Sequence, residues 1–210
     1  MFNIIKIFYY IVKTYKSDII KIFLYEMYFF IKHFNTSKKI ILTVIFSKEK
    51  INTIANSTIP CPLYYALIIG NFVNKKKIKS ILDLGSGHGR LTNFLNYRTN
   101  AKVYGYEFND EIFKKSMQLK NNDVILKKKN ILKIDKEISN IECFIFSDPL
   151  KNKVDLNKEK KKIKKIKENK KYFIIFINID NNKSKVMSKK KLIKQYISSD
   201  TKGVKIYYNK

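Results

Sequence analysis

The chain has 210 residues, of which 45% are hydrophobic; this length and composition suit one domain with a buried core and exclude intrinsic disorder. Its formal net charge of +27 comes almost wholly from lysine, since Arg90 and Arg98 are the only arginines. Proteins that bind nucleic acid favour arginine at their binding surfaces, and arginine is nearly absent here. The abundant residues Lys, Ile, Asn, Phe and Tyr share A/T-rich codons. We therefore attribute the charge to the base composition of the gene rather than to nucleic-acid binding.

The two cysteines give no sign of a metal site or a disulfide framework. Neither Cys61 nor Cys143 has a CxxC neighbour. Cys143 lies in an apolar run, which predicts a small core residue. We therefore expect no bound metal and a reducing, cytoplasmic compartment.

Residues 1–50 are predicted to form an N-terminal helical extension to a domain that spans residues 51–210. Residues 1–16 and 18–34 are apolar and aromatic but repeatedly interrupted by charge. No uncharged run reaches the roughly 18 residues of a membrane-spanning helix, and no signal-peptide cleavage site is recognisable. Two interpretations stay open. Residues 1–46 form a basic amphipathic anchor, peripheral at the inner face of a membrane, or they pack on the domain or on a second subunit.

The rest of the chain alternates between helix-like and strand-like segments. Helices are predicted over residues 63–73, 90–96 and 110–120, and strands over residues 80–84, 102–107, 124–127, 143–147 and 172–179. Asn109 precedes the third helix and can cap it. Two further strands, 192–198 and 204–208, flank Gly203 and predict a hairpin. Strands that are apolar on both faces and alternate with helices indicate a parallel α/β sheet. The lysine-rich residues 151–171 are either an exposed flank or a basic lip near the active site.

Three of the six glycines, at positions 85, 87 and 89, lie directly after a predicted strand and before a predicted helix. We call residues 85–89 the glycine loop. Its glycines permit positive φ and let the backbone approach a ligand, while the helix N-terminus offers free N–H groups. Glu107 ends the next strand 20 residues after Gly87, where a carboxylate can accept hydrogen bonds from both hydroxyls of a ribose. This combination predicts a ligand that contains adenosine.

The spacing of the motif distinguishes between two classes of adenosine cofactor. A dinucleotide site has the pattern GxGxxG, whereas this chain has GxGxG, with Arg90 at the position of the last dinucleotide glycine. Asp83, two residues before the first glycine, is poorly suited to a pyrophosphate. It suits a positively charged amino group, such as that of S-adenosyl-L-methionine. Both features favour this cofactor over NAD or FAD.

Residues 59–148 resemble class I S-adenosylmethionine-dependent methyltransferases, because the motif at residues 83–90 is specific for that superfamily. The segments Ile59-Pro60-Cys61-Pro62 and Gly105-Tyr106-Glu107-Phe108-Asn109 are similar to a small branch of it. That branch contains membrane-associated protein-lysine methyltransferases and uncharacterised bacterial relatives. The resemblance implies an α/β fold: a Rossmann-like, mostly parallel seven-stranded sheet with an antiparallel C-terminal hairpin, preceded by N-terminal amphipathic helices.

The resemblance also implies a role for each candidate site residue. Asp83 is expected near the amino group of the cofactor, and Glu107 on the ribose hydroxyls. Phe108 is expected to pack on the adenine, whose amino group Asn130 contacts, with Ile131 beside it. The methionine and ribose portion is expected to lie against Gly85, Ser86, Gly87 and Gly89.

Asp148, after the fourth strand, is the candidate catalytic residue, because its carboxylate can help an amine acceptor to lose a proton. Methyltransferases of planar amide nitrogens carry Asp/Asn-Pro-Pro-aromatic at this position. Here a single proline follows the acid and Leu150 is not aromatic, which weakens that interpretation. His88 stands where the branch usually has Asp, and it is either a base or a side chain at the pocket rim.

The acceptor is expected to be a protein side chain of the lysine type, favoured by the N-terminal segment and by the branch resemblance. An RNA methyltransferase is the alternative that the charge favours. A non-catalytic S-adenosylmethionine-binding module is a third reading, and the intact glycine loop argues against it.

Overall fold

The computed structural model describes residues 19–33, 61–131, 136–147, 170–178, 191–199 and 202–209. The helices are α1 (Ile19–His33), α2 (Leu63–Lys76), α3 (Arg90–Arg98) and α4 (Asp110–Leu119), and a short 3-10 helix spans Lys136–Asn140. The strands are β1 (Ser80–Leu84), β2 (Lys102–Glu107), β3 (Ile125–Lys128), β4 (Cys143–Ser147), β5 (Tyr172–Ile177), β6 (Lys191–Ser199) and β7 (Lys202–Asn209). The segments predicted at residues 1–16 and 151–169 lie outside the described residues.

The seven strands form one sheet in the order β3-β2-β1-β4-β5-β7-β6. The first five strands pair in parallel, and β7 pairs antiparallel with both β5 and β6. This arrangement confirms the predicted parallel sheet with an antiparallel C-terminal hairpin. The strand order reverses direction between β1 and β4, and open α/β sheets bind their ligands at the carboxyl ends of the strands beside such a switch point.

Local chemistry explains where the elements begin and end. The Asn109 side chain accepts the Ile112 N–H at 3.0 Å, which confirms the predicted cap of α4. The third strand begins at Ile125 rather than at the predicted residue 124, because the Val124 N–H bonds the Asn121 carbonyl in a turn. The fifth strand ends two residues earlier than predicted, because Asn178 adopts a φ of 56° and turns the chain.

The core lies on both faces of the sheet, as period-2 alternation along buried strands requires. Ile81 and Ile145 face the side that α1, α2 and α3 cover. Their neighbours Leu82 and Phe144 face the opposite side, together with Phe176. Cys143 is fully buried, in agreement with its prediction as a core residue.

Helix α1 is the described part of the N-terminal extension, and one of its faces belongs to the core. Ile22 and Phe29 are buried. The Phe29 ring lies 5.4 Å from the Phe94 ring of α3 and meets the Tyr97 ring edge-on at 6.2 Å. None of the helices described is long and apolar enough to cross a membrane.

Candidate functional site

The glycine loop folds over the end of β2 through main-chain hydrogen bonds. The N–H groups of Gly85 and Ser86 both donate to the Tyr106 carbonyl, at 2.9 and 3.0 Å, and the Gly89 N–H donates to the Ser86 carbonyl at 2.9 Å. The φ angles of Gly85, Gly87 and Gly89 are 84°, 56° and 83°. Residues with a Cβ rarely adopt such angles, so the loop requires glycine at these positions.

Glu107, at the end of β2, lies against the glycine loop. Its Oε2 accepts the Gly87 N–H at 2.9 Å, and its Oε1 accepts the N–H groups of Phe108 and Asn109, both at 2.8 Å. These three bonds fix the orientation of a carboxylate that is only partly buried. A carboxylate offers about four lone-pair sites, so the group can still accept a hydrogen bond from a ligand.

Unpartnered buried polar atoms are concentrated at the motif. In the described part of the chain, four buried side-chain N or O atoms lack a hydrogen-bond partner: Asp83 Oδ1, Ser86 Oγ, His88 Nε2 and Arg90 Nε. All four belong to residues 83–90. Buried polar groups are nearly always hydrogen-bonded in proteins, so a cluster of four in eight residues fits a site whose partners come from a polar ligand.

Burial shifts the pKa values of two of these side chains in opposite directions. Burial, reinforced by the negative charge of Glu107, raises the pKa of Asp83 to about 7. Burial lowers the pKa of His88, which keeps its imidazole neutral at neutral pH. A cation bound beside Asp83 lowers the pKa of that carboxyl again, so the site favours a positively charged group there.

A buried ion pair lies at the far end of the glycine loop. Arg90, the first residue of α3, pairs through Nη2 with Glu26 Oε2 of α1 and donates through Nη1 to the Cys61 carbonyl at 3.1 Å. The other oxygen of Glu26 accepts the Leu63 N–H at 2.8 Å. The carboxylate therefore joins α1 to the start of α2 and to the start of α3.

Gly105 in β2 leaves space for the glycine loop. A Cβ on Gly105 would lie 2.6 Å from Leu126 Cδ2 and 2.9 Å from both Cβ and Oγ of Ser86. Real Cβ atoms do not approach other atoms so closely, so only glycine lets Ser86 pack on β2.

The other predicted site residues follow the ends of neighbouring strands. Phe108 follows β2 and is 57% exposed. Asn130 and Ile131 follow β3, the partner of β2 in the sheet, and Ile131 is buried. Asp148, the candidate catalytic residue, lies outside the described residues. The structure thus brings the predicted cofactor residues of β1, β2 and β3 to one edge of the sheet.

Two groups at the candidate site were not predicted from the sequence. Glu26 lies 64 residues before its partner Arg90, so no local pattern links them, although it is the only acid in α1. The Tyr106 carbonyl acts through the main chain, which side-chain identity does not reveal. A single acidic residue in a largely apolar helix is the signal that could have indicated Glu26.

Comparisons with known proteins identify the architecture. No protein-family model matches the chain, and no curated protein matches its sequence. Its structure is similar to that of a protein of Pyrococcus horikoshii (TM-score 0.55, 15% identity, covering 69% of this chain and 88% of that one). It is also similar to an RNA methyltransferase from Salinibacter ruber in complex with S-adenosyl-L-homocysteine (0.54, 16%, 72% and 92%). A third similar structure is a TehB-like SAM-dependent methyltransferase from Corynebacterium glutamicum (0.51, 12%, 68% and 85%).

The chain has the Rossmann-like methyltransferase fold. This finding, together with the strand order, confirms the predicted fold class. In this fold the glycine loop and Glu107 lie at the carboxyl ends of β1 and β2, beside the switch point of the sheet. Within the described ranges, no cluster of three His, Cys, Asp or Glu residues suits a metal ion.

Proposed function

We propose that the protein is an S-adenosyl-L-methionine-dependent methyltransferase. The observation that carries the proposal is the cluster of four unpartnered polar atoms in residues 83–90, next to a carboxylate already oriented by three N–H groups. This set of donors and acceptors fits a ligand that has an amino acid at one end and a ribose at the other. The fold of the similar methyltransferases supports the same assignment.

The proposed contacts follow from the chemistry of each group. Asp83, with its pKa raised to about 7, suits the cationic amino group of the cofactor. Glu107 accepts the ribose hydroxyls, and the exposed ring of Phe108 covers the adenine. Asn130 contacts the adenine amino group, with Ile131 beside it. The glycine loop, through Gly85, Ser86, Gly87 and Gly89, lies against the methionine and ribose portion.

The cofactor supplies an activated methyl group, which is displaced in line from a sulfonium sulfur. The chain therefore contributes mainly proximity and alignment, which the hydrogen-bonded backbone of the glycine loop and Glu107 provide. An amine acceptor must lose a proton before it can attack. We assign that step to Asp148, which follows β4, the neighbour of β1.

The acceptor that we propose is a protein side chain of the lysine type. The resemblance of the proline-rich and β2-end segments to protein-lysine methyltransferases supports this choice. An RNA acceptor is the second candidate, because the net charge is +27 and one structurally similar protein is an RNA methyltransferase.

Two measurements, made one after the other, test this function. S-adenosyl-L-methionine at saturation should raise the melting temperature, whereas NAD should not. The protein should then transfer label from methyl-labelled cofactor to a protein band of a cell extract, and prior nuclease treatment should leave that label in place. The absence of any thermal shift refutes the cofactor, and label that is lost with nuclease identifies an RNA acceptor.

We also propose that α1 lies peripherally on an anionic membrane surface. Ile20, Leu24, Tyr28 and Ile31 form an apolar stripe along α1, and they are 69%, 59%, 49% and 73% exposed. The only acid of the helix, Glu26, is bonded on the inner side instead. An apolar stripe with flanking lysines is typical of helices that bind at the surface of a bilayer.

Vesicle sedimentation tests the membrane proposal. The protein should sediment with vesicles that contain an anionic phospholipid and not with purely zwitterionic vesicles. Leu24→Asp should reduce that binding by at least about tenfold, because it introduces a charge into the stripe. Met117→Asp is the matched control, since Met117 is a similarly exposed apolar residue on α4. Equal loss in both variants would contradict a specific role for the stripe.

A further inference from the structure

The carboxylate of Glu26 connects three segments of the chain. Its Oε1 accepts the main-chain N–H of Leu63, the first residue of α2, at 2.8 Å. Its Oε2 pairs with Arg90, the first residue of α3. The side chains of Arg90 and Glu26 are only 8% and 15% exposed, so the pair lies in the interior where charge is costly to leave unpaired.

Arg90 also lies directly beside the glycine loop. It follows Gly89, and its Nη1 holds the Cys61 carbonyl at 3.1 Å, in the segment that leads into α2. The guanidinium fork is thus bonded on two sides, and it belongs to the residue that begins the first turn of α3.

The glycine loop is therefore held by a carboxylate at each end. Glu107 accepts the Gly87 N–H in the loop, and Glu26 holds Arg90 immediately after it. Gly89, between them, has a φ of 83° and no side chain to restrain it. Its conformation is held by main-chain bonds, by these two carboxylates and by the Thr92 hydroxyl, which donates to the Gly89 carbonyl at 2.8 Å.

Apolar contacts dock α1 alongside the ion pair. Ile22 and Phe29 are buried, and the Phe29 ring packs on Phe94 of α3. Buried ion pairs add little stability beyond what apolar residues of the same volume provide. A geometric role therefore explains the charged pair better than a stabilising one.

We propose that Glu26 is a positioning residue for the cofactor site. Through Arg90 it holds the glycine loop and the first turn of α3 in the binding geometry, so that the N-terminal helix α1 belongs to the cofactor-binding unit. The proposal rests on the proposed cofactor, but it also makes a prediction for the protein without any ligand. Both oxygens of Glu26 are bonded to groups of the chain itself, so we assign it a positioning role and not a catalytic one.

Hydrogen–deuterium exchange of the full chain without ligand tests the positioning role. The N–H groups of Gly89 and Asn93 are protected by the carbonyls of Ser86 and Gly89. Glu26→Gln keeps the shape of the side chain but removes its charge, and we expect it to speed exchange at these two amides about tenfold. Exchange in β4 and β5 should not change.

Ile22→Val is the matched control, because Ile22 is a buried apolar residue of α1 and takes no part in the Glu26–Arg90 ion pair. We expect it to leave exchange at Gly89 and Asn93 within about twofold of the wild type. Equal acceleration in Glu26→Gln and Ile22→Val would overturn the proposal, since it would show that general docking of α1 suffices. Glu26→Asp, which keeps the charge but shortens the side chain, should give an intermediate effect and serves if Glu26→Gln does not fold.

Calorimetric titration with S-adenosyl-L-homocysteine is the second test of the role of Glu26. Glu26→Gln and Arg90→Lys should each raise the Kd about tenfold, and the double variant should raise it no further than the stronger single one. Additive effects would overturn a shared route through the ion pair. If the wild type binds no cofactor, the proposed function fails, whereas the exchange result still decides the role of Glu26.

Discussion

The main-chain nitrogen of Gly87 lies 2.9 Å from Oε2 of Glu107, although 20 residues separate them. The bond joins the middle of the glycine loop to the end of β2. Oε1 of the same carboxylate accepts the N–H groups of Phe108 and Asn109. The chain itself therefore orients the carboxylate. The ribose hydroxyls of the proposed cofactor would meet an acceptor that is already in place, which is the advantage of preorganisation.

Glu107→Ala should weaken cofactor binding roughly 10–100-fold while the protein stays folded. The substitution removes a charged acceptor that serves both the loop and the ribose, and a bond of this kind contributes about 1.5–3 kcal/mol, or roughly 10–100-fold in Kd. Isothermal titration with S-adenosyl-L-homocysteine measures the loss. Asp110→Ala is the control, because Asp110 is an acid near the same strand end whose exposed pairs with Lys114 and Lys128 contribute little. Unchanged affinity in Glu107→Ala would contradict the ribose contact.

Much of the fold could be predicted because the relevant signals are local. Apolar runs such as Cys143–Ser147 and Tyr172–Ile177 indicated buried strands, and the rare glycines marked the turn after β1. The ends of elements were less certain, because they depend on contacts across the sheet. Asn178 ends β5 by bonding through its side chain and its N–H to Gly203, a residue 25 positions away.

The candidate site could be predicted to the extent that one sequence motif contains its residues. Asp83, the glycine loop and Glu107 belong to a short pattern with fixed spacing, so the sequence indicated them together. Glu26 belongs to no such pattern, because only the folded chain brings α1 to the start of α3. The role of Gly105 was also hidden, since it depends on the distance of a Cβ from Ser86.

Asp83→Asn should stabilise the ligand-free protein at alkaline pH. The pKa of Asp83 is raised from 3.8 to about 7, so between these values the native state binds a proton that the unfolded state does not. Stability from this group is therefore lost as the pH rises from about 4 to 7. At pH 8 the variant should be more stable by at least ~1 kcal/mol, or ~2–4 °C in Tm. At pH 5 this advantage should shrink. A difference that stays constant from pH 5 to pH 8 would contradict the raised pKa.

The same substitution should impair cofactor binding, because a neutral amide cannot pair with a cationic amino group. In the wild type, affinity should fall as the pH drops below about 7, where Asp83 takes up its proton. Titrations at pH 6, 7 and 8 check this dependence. Asp83→Asn should bind weakly with a flatter pH profile, and an unchanged profile would exclude Asp83 from the contact.

His88→Gln should make the stability of the protein less sensitive to acidic pH. Burial lowers the pKa of His88, so below about pH 6.5 the unfolded state binds a proton that the native state excludes. The wild type should therefore lose stability relative to the variant as the pH falls from 7.5 to 5.5. Urea midpoints at the two pH values measure this loss. A relative stability independent of pH would mean that the imidazole titrates as it does in the unfolded chain.

Gly105→Ala should cost about 1–3 kcal/mol of stability and weaken cofactor binding as well. The new Cβ would meet Leu126 at 2.6 Å and Ser86 at 2.9 Å. Because the Tyr106 carbonyl holds the Ser86 main chain, the glycine loop must move.

Gly70→Ala is the control within α2. The three atoms nearest to its Cβ would belong to the side chains of Arg98 and Thr99, with Arg98 Cγ at 3.0 Å. Alanine also favours a helix by about 0.5–1 kcal/mol. Urea unfolding and calorimetric titration should therefore separate the two variants. Gly70→Ala should stay within about 1 kcal/mol of the wild type and bind normally. Normal binding by Gly105→Ala would show that Ser86 can leave β2 without disturbing the site.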